Sequence, residues 1–419
     1  MILRHMVVAG WAILALALTG CGGGGAAGGG QSDNDFIAGL PQKQSSVGEI
    51  IVAAPAPNVV PITVGPGNKL LVSVTVCQPG TAICRVVDKV MLDTGSVGLR
   101  LHSSALSGFL GSLASDQVGG STIGECAVFG NFYTWGTLRT ADVRMSGASA
   151  NGLKLQIYDD SSLPPASTSG CDTLYGGLSV PTPSTYQFNG ILGLKGARVD
   201  DQRYFICSGG NCASHTQDAG SQLPNPLPLL STDNNGFIIQ MPPLPSTGMV
   251  SANGALIFGI NTQFNNRLAT GSLAPSIIPL DPQLGFQLSV GGNVYEALID
   301  SGTSVLAFPG LAIPTCAGYQ PARYCPANEI AVPILAKASS KATLVVGAVL
   351  QIGNAATVLG TGNAAFNNVA TDVPSALANF SIGALIGVPF FYGRSIYFSV
   401  DGQTVIVDGA TWRKAFVAF

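Results

Sequence analysis

Charged side chains are scarce in this sequence. They make up 10% of its 419 residues, whereas a typical globular domain carries about 25%. Lys and Arg together number 19 and Asp and Glu 22, which gives a net charge of −3. Since no basic excess is present to neutralise phosphates, nucleic-acid binding is excluded as an expected function.

Histidine is also scarce, with three in the chain. His5 lies in the leader, so a zinc site built on histidines or a Ser-His-Asp relay would have to use His102 and His215. Neither a His-Glu-x-x-His nor a Gly-x-Ser-x-Gly motif occurs. The Gly-x-Gly-x-x-Ala match at 360–365 lacks an acidic residue about 20 positions later, which favours a Gly-rich turn. We therefore expect no metal and no cofactor.

The N-terminus has the pattern of an export signal. An uncharged run of 13 residues, 6–18, is too short to span a bilayer, which needs about 20. Leu18-Thr19-Gly20-Cys21 follows it and resembles the lipobox of bacterial lipoproteins, in which the cysteine is lipidated; the alternative is an ordinary cleaved signal. We expect a signal peptide over 1–20 and a disordered Gly/Ala/Pro tether over 21–58. By resemblance, Gly22 after the cysteine implies the outer membrane, facing the periplasm or the cell surface.

Eight cysteines remain once Cys21 is set aside. An even number in an exported chain predicts disulfides rather than a metal site. Three pairs are close in sequence, and locality favours bonding within each, which leaves the last two cysteines for each other. The predicted pairs are Cys77 with Cys84, Cys207 with Cys212, Cys316 with Cys325, and Cys126 with Cys171.

Composition predicts an all-β fold. The chain has 54 Gly and 26 Pro, and its short runs of Val, Ile, Leu and Thr are typical of strands. Helical patterns are few, and we expect short helices over Ser103–Ala114 and Pro309–Cys316. Residues 207–248 are rich in Gly, Ser, Asn and Pro, and we expect long loops there.

An internal repeat is the most informative feature. Val90-Met-Leu-Asp93-Thr-Gly-Ser96 recurs as Ala297-Leu-Ile-Asp300-Ser-Gly-Thr303, and the two aspartates are 300 − 93 = 207 residues apart. Each copy is followed by a second apolar element that contains glycine, Phe188-Asn-Gly-Ile-Leu-Gly193-Leu in the first half and Ala384-Leu-Ile-Gly387-Val-Pro in the second. The repeat predicts two lobes of similar size, 59–248 and 249–419, each offering one aspartate.

The residue types in the repeat suit a particular chemistry. Glycine allows a tight turn and the close approach of another chain. Two such loops that face each other would bring Asp93 and Asp300 close together, so that the pair shares one proton. The pair can then bind a water, with one aspartate as general base and the other as general acid toward a carbonyl.

These motifs resemble those of the pepsin-like aspartic peptidases over 59–419. Phe188-Asn-Gly-Ile-Leu-Gly-Leu is similar to a further family motif, and Gly254-Ala-Leu-Ile-Phe-Gly-Ile-Asn and Thr270-Gly-Ser-Leu look like segments that open its second half. The leader and the Asp93–Arg100 stretch also resemble an uncharacterised bacterial lipoprotein family catalogued only as a domain of unknown function.

The resemblance to the peptidases implies a bilobal, pseudo-twofold fold with a few short helices, and a monomer that cleaves peptides or proteins in the cleft between its lobes. It implies a role for each motif residue. Asp93 and Asp300 hold the catalytic water, Thr94 and Ser301 support the loops with Gly95 and Gly302, and Ser96 and Thr303 bond the outer carboxylate oxygens.

A β-hairpin flap is also implied, and its best candidate is the segment 127–136. Its candidate residues are Phe129, Gly130, Tyr133 and Trp135. Alignment on Gly136 puts Phe129 where the family usually has Tyr, and Arg100 stands where many relatives have Trp. Because both flap positions depart from the family, we keep a second hypothesis, a catalytically inactive lipoprotein of the same fold that binds peptides or envelope proteins.

Overall fold

The structure is a computed structural model that describes residues 55–174, 179–269, 275–338, 345–372 and 382–419. Strands account for 46% of the described residues and helices for 9%, which confirms the all-β prediction. The predicted signal peptide, Cys21, most of the predicted tether and the Thr270-Gly-Ser-Leu segment lie outside the described residues. Among the described helices, none is both long and apolar enough to cross a membrane.

The described residues form 27 strands and two short α-helices. The strands are β1 Val59–Gly65, β2 Lys69–Cys77, β3 Cys84–Asp93, β4 Val97–His102, β5 Gln117–Val118, β6 Ser121–Val128, β7 Tyr133–Met145, β8 Ala148–Tyr158, β9 Gly190–Leu194, β10 Arg203–Ser208, β11 Asn211–His215, β12 Gly236–Met241, β13 Asn253–Phe258, β14 Ile277–Pro279, β15 Phe286–Val290, β16 Asn293–Ile299, β17 Leu306–Ala307, β18 Thr315–Cys316, β19 Arg323–Tyr324, β20 Ile330–Lys337, β21 Val345–Ile352, β22 Ala370–Thr371, β23 Ala384–Ile386, β24 Arg394–Ser399, β25 Val405–Val407, β26 Ala410–Trp412 and β27 Phe416–Ala418. The helices are α1 Pro183–Tyr186 and α2 Ala355–Gly360.

Two large sheets contain most of these strands. The first has 16 strands in the order β11-β10-β6-β7-β8-β4-β9-β3-β2-β1-β13-β12-β24-β27-β14, with β5 attached to β6. The second has nine, in the order β18-β19-β22-β17-β23-β16-β15-β20-β21. A large apolar core draws on both sheets. The strand that ends at Asp93 belongs to the first sheet and the strand that precedes Asp300 to the second.

The sequence repeat corresponds to a repeated pairing of strands. In the first sheet, β9 lies between β3, to which it is parallel, and β4, to which it is antiparallel. In the second, β23 lies in the same way between β16 and β17. The second apolar element of each half therefore forms the strand that supports the aspartate loop of that half.

Several local expectations are corrected. Ser103–Ala114 contains two 3₁₀ turns, Ser103–Leu106 and Leu110–Ser112, rather than an α-helix, in keeping with the low helix propensity of its glycines. Pro309–Cys316 contains no helix and ends in β18, which pairs with β19.

The region 207–248 is more regular than expected. It contains β11, which forms a hairpin with β10, and β12, which pairs with β13 and β24. The turn of the β10–β11 hairpin uses Gly209 and Gly210, both with positive φ, which glycine adopts without strain. The glycines that indicated a loop thus form a tight turn between strands.

Asn58, placed by sequence at the end of the tether, is buried in this fold. Its side-chain amide donates to the carbonyl of Phe258 at 3.0 Å and exchanges hydrogen bonds with the side chain of Asn265. β1 starts at the next residue, as the apolar run from Val59 predicted.

Candidate active site

Asp93 and Asp300 occupy equivalent positions in two loops. Asp93 is the last residue of β3, and Asp300 directly follows β16. The amide of Gly95 donates to Asp93 Oδ1 and the amide of Gly302 donates to Asp300 Oδ1, each at 2.8 Å. Each loop therefore folds back on its own carboxylate, as a tight Asp-x-Gly turn allows.

The other oxygen of each carboxylate accepts a hydroxyl hydrogen bond. Ser96 Oγ donates to Asp93 Oδ2 at 2.5 Å, and Thr303 Oγ1 donates to Asp300 Oδ2 at 2.6 Å. These are the contacts that the resemblance to the peptidases implies. They hold both carboxylates in fixed orientations and leave the Oδ1 atoms on the inner side.

The two inner oxygens approach each other closely. A methyl carbon placed on Gly302 would lie 2.7 Å from Asp93 Oδ1 and 3.1 Å from Asp300 Oδ1. One placed on Gly95 would lie 2.7 Å from Asp300 Oδ1 and 3.2 Å from Asp93 Oδ1. Both oxygens thus border the same small space, and only glycine fits at these two positions without displacing a carboxylate.

Thr94 and Ser301 join the two loops beneath the carboxylates. Thr94 Oγ1 accepts from the amide of Ser301 at 3.0 Å and donates to the carbonyl of Ile299 at 2.8 Å. Ser301 Oγ accepts from the amide of Thr94 at 3.1 Å and donates to the carbonyl of Leu92 at 2.8 Å. Since each hydroxyl binds backbone of the opposite loop, the arrangement has local twofold symmetry.

The electrostatics favour a single proton on the pair. Asp93 and Asp300 are both buried. Burial raises the pKa of Asp300 to about 7, the negative charge of Asp93 adds to the rise, and the bonds from Thr303 and Gly302 oppose it. As the pH falls through about 7, the pair therefore takes up one proton.

An apolar wall lies beside Asp93. Met91 precedes Asp93 by two residues on β3, so the two side chains point to the same face of the sheet, and Met91 pairs with Ile191 of β9. Leu71, Phe132 and Phe188 complete a buried cluster with these two residues. The site thus adjoins a buried apolar cluster, against which the partly exposed rings of Phe129 and Tyr186 pack.

The predicted flap segment forms a hairpin, in which β6 pairs with β7 around a turn at 129–132. Phe129 stacks on Phe132 with ring centroids 4.7 Å apart, and Gly130 is exposed in the turn. Tyr133 and Trp135 point elsewhere: they are buried around the Cys126–Cys171 disulfide, where Trp135 Nε1 donates to the carbonyl of Pro164. Of the aromatic flap candidates, Phe129 is the one packed against the apolar wall.

All four predicted disulfides are present: Cys77–Cys84, Cys126–Cys171, Cys207–Cys212 and Cys316–Cys325. The described ranges contain no group of three or more His, Cys, Asp or Glu side chains arranged to hold a metal ion.

Sequence reasoning missed one functional candidate, a buried ion cluster next to the site. It noted Arg100 but not its partners Glu125 and Asp200, which Arg100 Nη2 contacts at 2.5 Å and 2.8 Å. These partners lie 25 and 100 residues further along the chain, and no motif connects them.

A protein-family model matches most of the chain. Residues 54–419 match the family described as "Protein of unknown function (DUF3443)". No curated protein matches the chain.

Proposed function

We propose that this chain, which belongs to the DUF3443 family, is an aspartic endopeptidase with a pepsin-like bilobal fold. The observation that carries the proposal is the arrangement of the inner oxygens of Asp93 and Asp300, which lie within 3.2 Å of a common point while hydroxyl groups hold their outer oxygens. A peptide binder gains nothing from two buried carboxyls held this close, because their proximity is electrostatically costly.

The pair supports a complete hydrolytic cycle. The ionised aspartate takes a proton from a bound water, and the water oxygen bonds to the carbonyl carbon of the substrate. The protonated aspartate gives its proton to the carbonyl oxygen, which yields a neutral tetrahedral diol. The carbon–nitrogen bond then breaks as the nitrogen takes a proton from the pair and a diol hydroxyl returns one, so that a carboxylic acid and an amine leave.

The apolar wall supports a preference for substrates with bulky apolar side chains. The partly exposed rings of Phe129 and Tyr186 pack on this buried cluster, and burying a Leu- or Phe-sized substrate side chain against them contributes about 1.5–3 kcal/mol. A charged side chain at the same position would lose its hydration without gaining a partner.

A peptide library tests the proposal. The full chain with its disulfides formed is incubated with diverse peptides from about pH 3 to about pH 8, and cleavage sites are read by mass spectrometry. Asp93→Asn and Asp300→Asn should each lower the rate by about 10²- to 10⁴-fold or more. Asp88→Asn is the matched control, since Asp88 is an exposed aspartate on the same strand that accepts a bond from Ser73.

Cuts next to Phe or Leu that disappear in both dyad variants support the peptidase. If the folded protein cuts no peptide at any pH, the peptidase proposal is wrong, and peptide binding by the wild type becomes the function to measure.

Anchorage in the bacterial outer membrane through lipid on Cys21 is proposed on the lipobox-like sequence at 18–21. The four disulfides fit an exported protein. Labelling of cells with a radioactive fatty acid should mark the wild type and fail to mark Cys21→Ser.

A further inference from the structure

A charged cluster is buried between the Asp93 loop and the hairpin. Arg100 of β4 is 1% exposed, Glu125 of β6 is 0% and Asp200 is 5%. Arg100 Nη2 donates to Glu125 Oε1 at 2.5 Å and to Asp200 Oδ2 at 2.8 Å. Tyr204 donates its hydroxyl hydrogen to the other oxygen of Asp200. The two carboxyl groups thus share one guanidinium nitrogen.

The charges balance if the two carboxyls carry one proton between them. Burial raises the pKa of Glu125 well above its usual range; the charge of Arg100 opposes the rise and that of Asp200 adds to it. Glu125 also lies within hydrogen-bond reach of Asp200, so one proton can be shared between the two carboxyl groups. The cluster then holds one positive and one negative charge, the arrangement that costs least in a buried site.

Arg100 connects this cluster to the aspartate loop. Its Nη1 donates to the carbonyl of Val97 at 2.6 Å. Val97 directly follows Ser96, whose hydroxyl orients Asp93. The guanidinium is therefore joined to the Asp93 loop through Val97 and Ser96.

Arg100 also contacts the first strand of the hairpin and its turn. Glu125 belongs to its first strand, and the guanidinium carbon lies 5.7 Å from the ring centroid of Phe129 in the turn. A guanidinium within about 6 Å of an aromatic face is attracted to it. Phe129 in turn stacks on Phe132, which packs in the cluster that contains Met91.

We propose that Arg100 is a positioning residue that fixes the turn of the β6–β7 hairpin against the Asp93 loop, with Glu125 and Asp200 together supplying a single counter-charge. The role of the hairpin in holding substrate rests on the proposed peptidase function, whereas the positioning of the hairpin does not.

The counter-charge is tested by hydrogen exchange on the full chain. In Glu125→Gln, Asp200 keeps the negative charge and the amide can donate to it; in Asp200→Asn, Glu125 can ionise instead. Each single variant should exchange the amides of 129–133 within about twofold of wild type, whereas the double variant should exchange them at least about tenfold faster. The proposal is overturned if either single variant loosens the turn as much as the double variant does, or if the double variant exchanges like wild type.

Phe129 provides a second test that leaves the ion cluster intact, in case the double variant does not fold. Phe129→Leu should speed exchange in the turn by about 3- to 30-fold and raise KM for cleaved peptides more than it lowers kcat. Phe129→Trp keeps an aromatic face, so its exchange rate in the turn and its KM should be close to those of the wild type. Phe264→Leu is the matched control, because Phe264 is an exposed ring that lies 5.5 Å from the guanidinium carbon of Arg267, away from the site.

The two proposals can fail separately. If the wild type cleaves no peptide but the turn exchanges faster in Phe129→Leu than in the wild type, the peptidase proposal is wrong and the positioning role stands. Cleavage by the wild type with unchanged exchange and unchanged KM in Phe129→Leu would disprove the positioning role alone.

Discussion

Thr94 and Ser301 bind each other's backbone across the two aspartate loops, although 207 residues separate them. The amide of each donates to the hydroxyl of the other, and each hydroxyl donates onward to a carbonyl of the opposite loop. The relative position of Asp93 and Asp300 thus depends on four hydrogen bonds that neither half of the chain can form alone.

Removal of one of these hydroxyls should weaken the fold as well as the site. Thr94→Val leaves the amide of Ser301 and the carbonyl of Ile299 without their partner, and an unsatisfied buried group costs about 1–3 kcal/mol. We expect a loss of that size in the free energy of unfolding, measured with urea, and a clear loss of peptide cleavage. Thr63→Val, at an exposed position of β1, is the control. A stability equal to that of the control would show that the joint between the loops is not needed for folding.

Gly302→Ala should damage catalysis more than folding. The new methyl carbon would lie 2.7 Å from Asp93 Oδ1 and 2.9 Å from its carboxyl carbon, so a carboxylate has to move. A displacement of about 1 Å at a reacting group can lower a rate by about 10²-fold, and we expect at least that loss in kcat.

Gly220→Ala is the matched comparison for Gly302→Ala, because nothing lies within 4 Å of the added carbon and its φ is ordinary. Normal cleavage by Gly302→Ala would mean that the two carboxylates need not lie this close for activity.

The dyad could be predicted from sequence because its geometry is mostly local. Asp93 and Gly95 are two residues apart, and the repeated pattern at Asp300 and Gly302 indicates a second copy of the same turn. The supporting strands could be predicted for the same reason, since each apolar element with its glycine pairs beside the loop of its own half.

The ion cluster could not be predicted, because it depends on tertiary packing. Glu125 and Asp200 meet Arg100 only through the arrangement of strands in the first sheet. The directions in which the aromatic side chains of the hairpin point could not be predicted either. The resemblance to the peptidases implied the hairpin itself, but which aromatic side chain faces the disulfide cluster and which faces the apolar wall depends on neighbours distant in sequence. As a result, Tyr133 and Trp135 were flap candidates alongside Phe129.

The pH dependence of cleavage should follow the shared proton. Burial and the charge of Asp93 raise the pKa of Asp300 from 3.8 to about 7, and the acid step needs that proton. We therefore expect kcat/KM to fall as the pH rises through about 7. An activity that keeps increasing above pH 7 would mean that the acid step does not need the proton on Asp300.

The same shift predicts how stability changes with pH. Because the pKa of Asp300 is higher in the folded state, its contribution is fully present below 3.8 and is lost as the pH rises toward about 7. Urea unfolding at several pH values should show this loss in the wild type and a smaller one in Asp300→Asn. Glu125 acts in the same direction in both proteins, so the difference between them isolates Asp300. Identical pH dependence in the two proteins would mean that Asp300 titrates normally.

The Cys126–Cys171 disulfide should contribute more to stability than the Cys207–Cys212 disulfide. The first joins residues 45 apart and the second residues 5 apart, and the entropy of loop closure predicts contributions of about 4 and about 2 kcal/mol. Cys126 also lies on β6, so its disulfide anchors the stem of the hairpin.

Replacing both cysteines of each pair with alanine and measuring the free energy of unfolding gives the comparison directly. Loss of the Cys126–Cys171 disulfide should lower the free energy of unfolding more, and it should also speed hydrogen exchange along β6. Loss of the Cys207–Cys212 disulfide serves as the control. Equal costs for the two pairs would show that the longer loop is already held by packing around Trp135 rather than by the bond.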